Sequence, residues 1–92
     1  MLEFDPSKAA EKFLKKLPPK HRRQVAGKIS KLTENPAPPD AGPLRGYENY
    51  YYRADIGEYR IVYRWSSTTL YVPLIGKRND DEVYRKFKRM LQ

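Results

Sequence analysis

The chain has no cysteine and a single histidine among its 92 residues. The first absence excludes a disulfide framework, a thiolate nucleophile and any cysteine-built metal site. With no secretory leader recognisable after Met1, it also implies a reducing, cytoplasmic setting. The lone histidine, His21, sits at a helix start among Lys20, Arg22 and Arg23. It reads as a surface residue rather than a catalytic base. Only five glycines are present, and none forms a phosphate-cradling loop. No Asp or Glu arrangement has metal-ligand spacing, so neither a metal nor a small-molecule cofactor is expected. No apolar run approaches the roughly 18 residues needed to span a bilayer. A membrane is therefore not an expected partner.

Cations are abundant. Nineteen Lys and Arg against 11 Asp and Glu leave a net charge of +8, which on so small a domain makes polyanions the default partners. The length suits one domain over residues 1–92 with a single modest core.

The densest pattern runs from Gly57 to Tyr84. Tyr59, Ile61, Tyr63 and Trp65 alternate with Arg60, Val62 and Arg64, the period-2 signature of a half-buried strand. Ser66 to Thr69 reads as a hairpin connection and Leu70 to Ile75 as the returning strand, with Pro73 demanding an edge position or an outward-facing missing donor. Gly76 is expected to break that strand. Asn79 then caps a helix whose first turn holds Asp80, Asp81 and Glu82, and Val83, Phe87 and Leu91 form its docking stripe.

Upstream, Leu2 to Phe4 is a short possible strand, and Asp5-Pro6 reads as a helix opening. Ala10, Phe13, Leu14 and Leu17 line one amphipathic helix. Pro18-Pro19 opens a second, with Val25, Ala26, Ile29 and Leu32 inward. Asn35 to Pro43 is an irregular, proline-rich connection, Tyr47 to Ala54 a strand, and Asp55 to Gly57 a turn. The expected architecture is α+β: an N-terminal helical hairpin packed on a small, mostly antiparallel four-stranded sheet, with a C-terminal helix.

This layout brings Arg60, Lys77, Arg78 and Tyr84 towards one locus. Guanidinium groups and phenols suit RNA cleavage by the 2′-hydroxyl, because its transition state gathers negative charge on phosphate oxygens. The same residues suit a nucleic-acid binder without catalysis, or a merely solvated basic surface. Residue chemistry alone leaves all three open.

The segments Leu44-Arg45-Gly46, Gly57-Glu58-Tyr59-Arg60-Ile61-Val62-Tyr63, Ile75-Gly76-Lys77-Arg78 and Glu82-Val83-Tyr84 resemble the RelE group of the RelE/ParE toxin superfamily. The resemblance implies a type II toxin, a metal-independent endoribonuclease that enters the A site of the 70S ribosome, cuts mRNA there, and is silenced by an acidic, RelB-like antitoxin. By position it assigns Arg60 to the scissile phosphate, Arg78 to transition-state stabilisation or leaving-group protonation, and Tyr84 to orienting the nucleotide. Arg53 falls where the family has the first of two strand lysines, and Arg45 and Lys77 complete the RNA-binding set. The second lysine falls at Asp55, a departure that implies an acidic general base, a residue lying in a turn, or a one-residue shift of the alignment in this short strand, and Asp55 is left outside the expected site. The ParE branch shares the fold, inhibits DNA gyrase and lacks the ribonuclease residues; retention of Arg60, Arg78 and Tyr84 favours RelE. A non-catalytic relative that still holds an antitoxin is the remaining alternative.

Overall fold

A computed structural model describes residues 1–79 and 82–91. In chain order the elements are β1 (Glu3–Pro6), α1 (Lys8–Lys16), α2 (Pro19–Glu34), β2 (Gly42–Pro43), β3 (Tyr52–Ile56), β4 (Tyr59–Trp65), β5 (Thr69–Lys77) and α3 (Glu82–Met90). The sheet has five strands in the order β1-β5-β4-β3-β2. Only the β1–β5 pair is parallel. The expected α+β plan holds, with one strand more than the sequence suggested. Gly42 and Pro43, inside the proline-rich connection, pair with Arg53 and Tyr52. Two residues carry too little periodicity to be read as a strand.

The sheet separates two apolar layers. On one face Ala10, Leu17, Val25, Ile29 and Leu32 of the helical hairpin pack on Ala54, Tyr59, Ile61, Tyr63, Leu70, Val72 and Ile75. On the other, Val83 and Phe87 of α3 pack on Leu44, Val62 and Leu74. Burying Phe87, which is 1% exposed, contributes about 1.5–3 kcal/mol. That interaction holds α3 against the sheet. Leu91 does not extend the stripe as expected, being 53% exposed beyond the end of α3, and Ala26 is exposed on α2.

Ser7, not Asp5, caps α1. Asp5 and Pro6 belong to β1, and Ser7 Oγ accepts from the Ala10 amide at 3.0 Å while donating to the Pro73 carbonyl at 2.6 Å. Pro73 itself lies in a strand with neighbours on both sides, so it is not at an edge. The register of β4 on β5 runs Arg64↔Tyr71 before it and Val62↔Leu74 after it, leaving Tyr63 opposite two residues. This is a β-bulge, where the unpaired extra residue has no need of an N–H. The bulge also resets the alternation of side chains. Leu70 and Val72 face the helical hairpin, whereas Leu74 faces α3.

Gly76 does not end the strand. It is buried within β5, and a Cβ placed there would sit 3.0 Å from Val83 Cγ2. Its missing side chain is what lets α3 approach so closely. Tyr47 to Tyr51, expected to begin a strand, lie outside it, and β3 instead runs from Tyr52 through Asp55 to Ile56. The turn is only Gly57-Glu58, with Gly57 at φ 57°, a value that favours glycine. The helix start expected at Asp80 and Asp81 lies outside the described residues.

Candidate functional site

The tight Gly57-Glu58 turn sets Asp55 directly opposite Arg60, and the next pairing sets Arg60 opposite Gly76. Three adjacent strands thus present Asp55, Arg60 and Gly76 in one row on the α3 side. Asp55 forms a two-pronged ion pair with Arg60: Arg60 Nε donates to Oδ1 at 2.7 Å and Nη2 to Oδ2 at 3.0 Å. Because α3 closes over Gly76, Tyr84 reaches the same arginine. Arg60 Nη1 donates to the Tyr84 hydroxyl at 3.2 Å.

Arg78 follows β5, its amide donating to the Glu58 carbonyl at 3.0 Å and its guanidinium lying 3.9 Å from Asp55 Oδ2. The Arg45 guanidinium sits 4.5 Å from the centre of the Tyr84 ring, within cation–π range. Arg53 lies across the neighbouring strand, where a Cβ on Gly42 would meet its Nη2 at 3.4 Å. Among the described residues, Arg45, Arg53, Arg60 and Arg78 therefore gather around the Asp55 carboxylate and the Tyr84 phenol. Lys77 is not among them. Opposite Tyr59 in register, it alternates away from Arg60, and its charge acts on Glu82.

Burial alone would raise the Asp55 carboxyl, but the Arg60 hydrogen bonds and the charges of Arg60, Arg53 and Arg78 outweigh it and hold the group below the ordinary carboxylate value. Asp55 is an anion at neutral pH. The same hydrogen bonds raise Arg60 above its usual value against the effect of burial. What the arrangement can do is bind a second anion: donors converge from β3, β4, the segment after β5 and α3, and partial burial of Arg60 strengthens its interactions.

His21 lies on the far side of the sheet, sharing a 2.6 Å hydrogen bond with the Tyr59 hydroxyl. Among the described residues no group of three His, Cys, Asp or Glu is placed to hold a metal ion, and no helix is long and apolar enough to cross a membrane. Asp55 is the residue that sequence reasoning left outside the site. The signal that would have found it is Gly57, whose left-handed conformation shortens the turn and leaves Asp55 in the strand.

Residues 5–82 match the model of the ParE toxin of type II toxin-antitoxin systems. The chain belongs to the RelE/ParE superfamily of type II toxins. The toxin resembles solved structures of the RelE branch. A variant of the E. coli toxin RelE in the free state is 25% identical, with a TM-score of 0.77, covering 99% of this chain and 98% of that one. The toxin of the archaeal RelE-RelB complex from Pyrococcus horikoshii is 26% identical, with a TM-score of 0.71, over 86% of this chain and 97% of that one. The RelBE2 toxin-antitoxin complex of Mycobacterium tuberculosis matches at 26% identity and a TM-score of 0.71, over 84% of this chain and 98% of that one. No curated protein matches the toxin by sequence.

Proposed function

We propose that this toxin is a ribosome-dependent endoribonuclease that cuts mRNA in the A site by attack of a 2′-hydroxyl on the adjacent phosphate, without a metal. The observation that carries this reading is the convergence of Arg60, Arg78 and Tyr84 on one locus beside Asp55. Arg60 has five N–H groups, of which Asp55 and Tyr84 engage three. The two that remain, one on each terminal nitrogen, are available to phosphate oxygens. Arg78, whose side chain is 50% exposed, stabilises charge developing on the phosphate or the leaving oxygen. Tyr84 and Arg45 offer a ring and a guanidinium plane on which a base can stack. Among the described residues no strong base lies beside the locus, so positioning of the RNA must come from outside, and the ribosome supplies it.

An acidic, RelB-like antitoxin is the proposed inhibitor, in keeping with the net charge of +8 and with the complexes that the Pyrococcus and Mycobacterium relatives form. A partner of that charge, disordered alone, can fold while wrapping the basic surface. The cytoplasm is the matching compartment.

The second reading, gyrase inhibition, is favoured by the ParE name of the matching family model. Primer extension on an mRNA incubated with toxin, with and without ribosomes, separates the two when run beside a gyrase supercoiling assay. Cleavage confined to the ribosomal sample is expected. Inhibited supercoiling with intact mRNA would replace the ribonuclease reading with the ParE one.

A further inference from the structure

Of the two prongs by which a guanidinium can be gripped, Asp55 takes the side edge of Arg60, Nε and Nη2, at 2.7 and 3.0 Å. Tyr84 takes one N–H of Nη1 at 3.2 Å. This pair fixes the direction in which the arginine's outer end points. The Asp55 carboxylate, 26% exposed along its side chain, also occupies the space between Arg60 and Arg78 and cancels one positive charge of the cluster.

We propose that Asp55 is a positioning residue that orients Arg60 for catalysis and, as a resident anion, weakens the site's hold on RNA that is not already delivered to it. The inference rests on the ribonuclease reading above and says how that site discriminates. Two consequences of one carboxylate pull in opposite directions. An arginine held side-on loses little conformational freedom when it meets phosphate, so the transition state is stabilised more effectively. A negative charge within 4 Å of the same cations opposes the ground-state binding of any polyanion. RNA held by the ribosome meets the first effect and escapes most of the second, because its binding is supplied elsewhere. Free RNA meets both. Asp55 is held ionised by its neighbours and two of its oxygen contacts go to Arg60, which suits orientation rather than proton abstraction.

The test uses the full-length toxin and Asp55→Asn, which keeps the shape and removes the charge. Binding is measured on a single-stranded RNA made uncleavable by a 2′-deoxy substitution at the cleavage step. Turnover is measured separately on programmed ribosomes at saturating toxin. The expected result is a Kd for the free oligonucleotide at least threefold tighter for Asp55→Asn, with ribosomal cleavage 10- to 100-fold slower and the shape of its pH profile unchanged, as for loss of one orienting contact. Both values within twofold of the parent overturn the proposal, as does disappearance of the acid limb of the profile, which would make Asp55 a general base. If Asp55→Asn does not fold, Asp55→Glu decides: parental RNA affinity with slowed turnover supports the positioning role, and parental turnover removes it. A parent that fails to cut ribosomal mRNA at all is a failure of the ribonuclease reading. The binding comparison stands apart from that outcome.

Discussion

Val83 and Gly76 meet so closely that a Cβ added to the glycine would fall 3.0 Å from Val83 Cγ2, and the valine would have to give way. The contact sets the height of α3 above the sheet, and with it the distance from Tyr84 to Arg60. Gly76→Ala is expected to lift the helix by a few tenths of an ångström, at a cost of about 1–3 kcal/mol of overpacking, and to lower cleavage along with stability. Adding Val83→Ala makes space for the new methyl, so the double variant should recover part of both losses. Thermal melts and ribosomal cleavage of the four proteins in this cycle check it. Strict additivity would mean the two residues are not in contact.

Tyr84 contributes a hydroxyl to Arg60 and a ring to Arg45, and two substitutions separate these roles. Tyr84→Phe is expected to slow cleavage modestly, since Arg60 remains held by Asp55. Tyr84→Ala should remove most activity while costing no more than about 1 kcal/mol of stability, as for a partly exposed side chain. An unfolded Tyr84→Ala, or one that cleaves normally, assigns the residue to packing.

Arg78 stands at the rim, with half its side chain exposed and a contact of 3.9 Å to Asp55. Its removal should leave the melting temperature within about a degree or two, as for a surface substitution. Cleavage should fall by a factor on the order of 10² to 10³, the scale of one transition-state stabiliser. Single-turnover rates on ribosomes provide the measurement. A rate within twofold of the parent places Arg78 in the solvated surface.

Acid should weaken the fold partly through Asp55. Its folded carboxyl titrates below its unfolded value of about 3.9, because the Arg60 hydrogen bonds and the nearby cations overcome burial. A depressed folded pKa contributes stability that is complete above the unfolded value and is lost as pH falls through the folded one. Asp40, Glu48 and Glu82 are lowered too, so the parent's acid sensitivity is a sum. Denaturant melts of parent and Asp55→Asn between neutrality and about pH 2.5 isolate one contribution. The variant should lose less stability over the acid range, and parallel curves would show that the ion pair adds nothing.

Residues with strong periodicity declared themselves in the sequence. The two N-terminal helices, the Tyr59–Trp65 strand and the docking of α3 through Val83 and Phe87 were legible because 3.6- and 2-residue repeats report directly on faces. Asp55 was not, since whether it belonged to a turn or a strand depended on the conformation of one glycine two positions away. Nor was the bulge at Pro73, where proline's missing donor admits an edge or a bulge equally and only the partner strand's register distinguishes them. The two-residue strand Gly42–Pro43 exists through pairing with β3 alone. Such elements are properties of the assembled sheet, invisible to local pattern.

The parallel pairing of β1 with β5 joins segments far apart in the chain, Ser7 reaching across 66 positions to Pro73. Contacts so distant form late, because loop closure must precede them. During synthesis α1 and α2 emerge with no sheet to cover, and the sheet cannot close around its central strand until Lys77 is free. Tyr84 follows still later, on α3. An enzyme of the proposed kind, assembled in this order, has no working site until Tyr84 has left the ribosome that is making it.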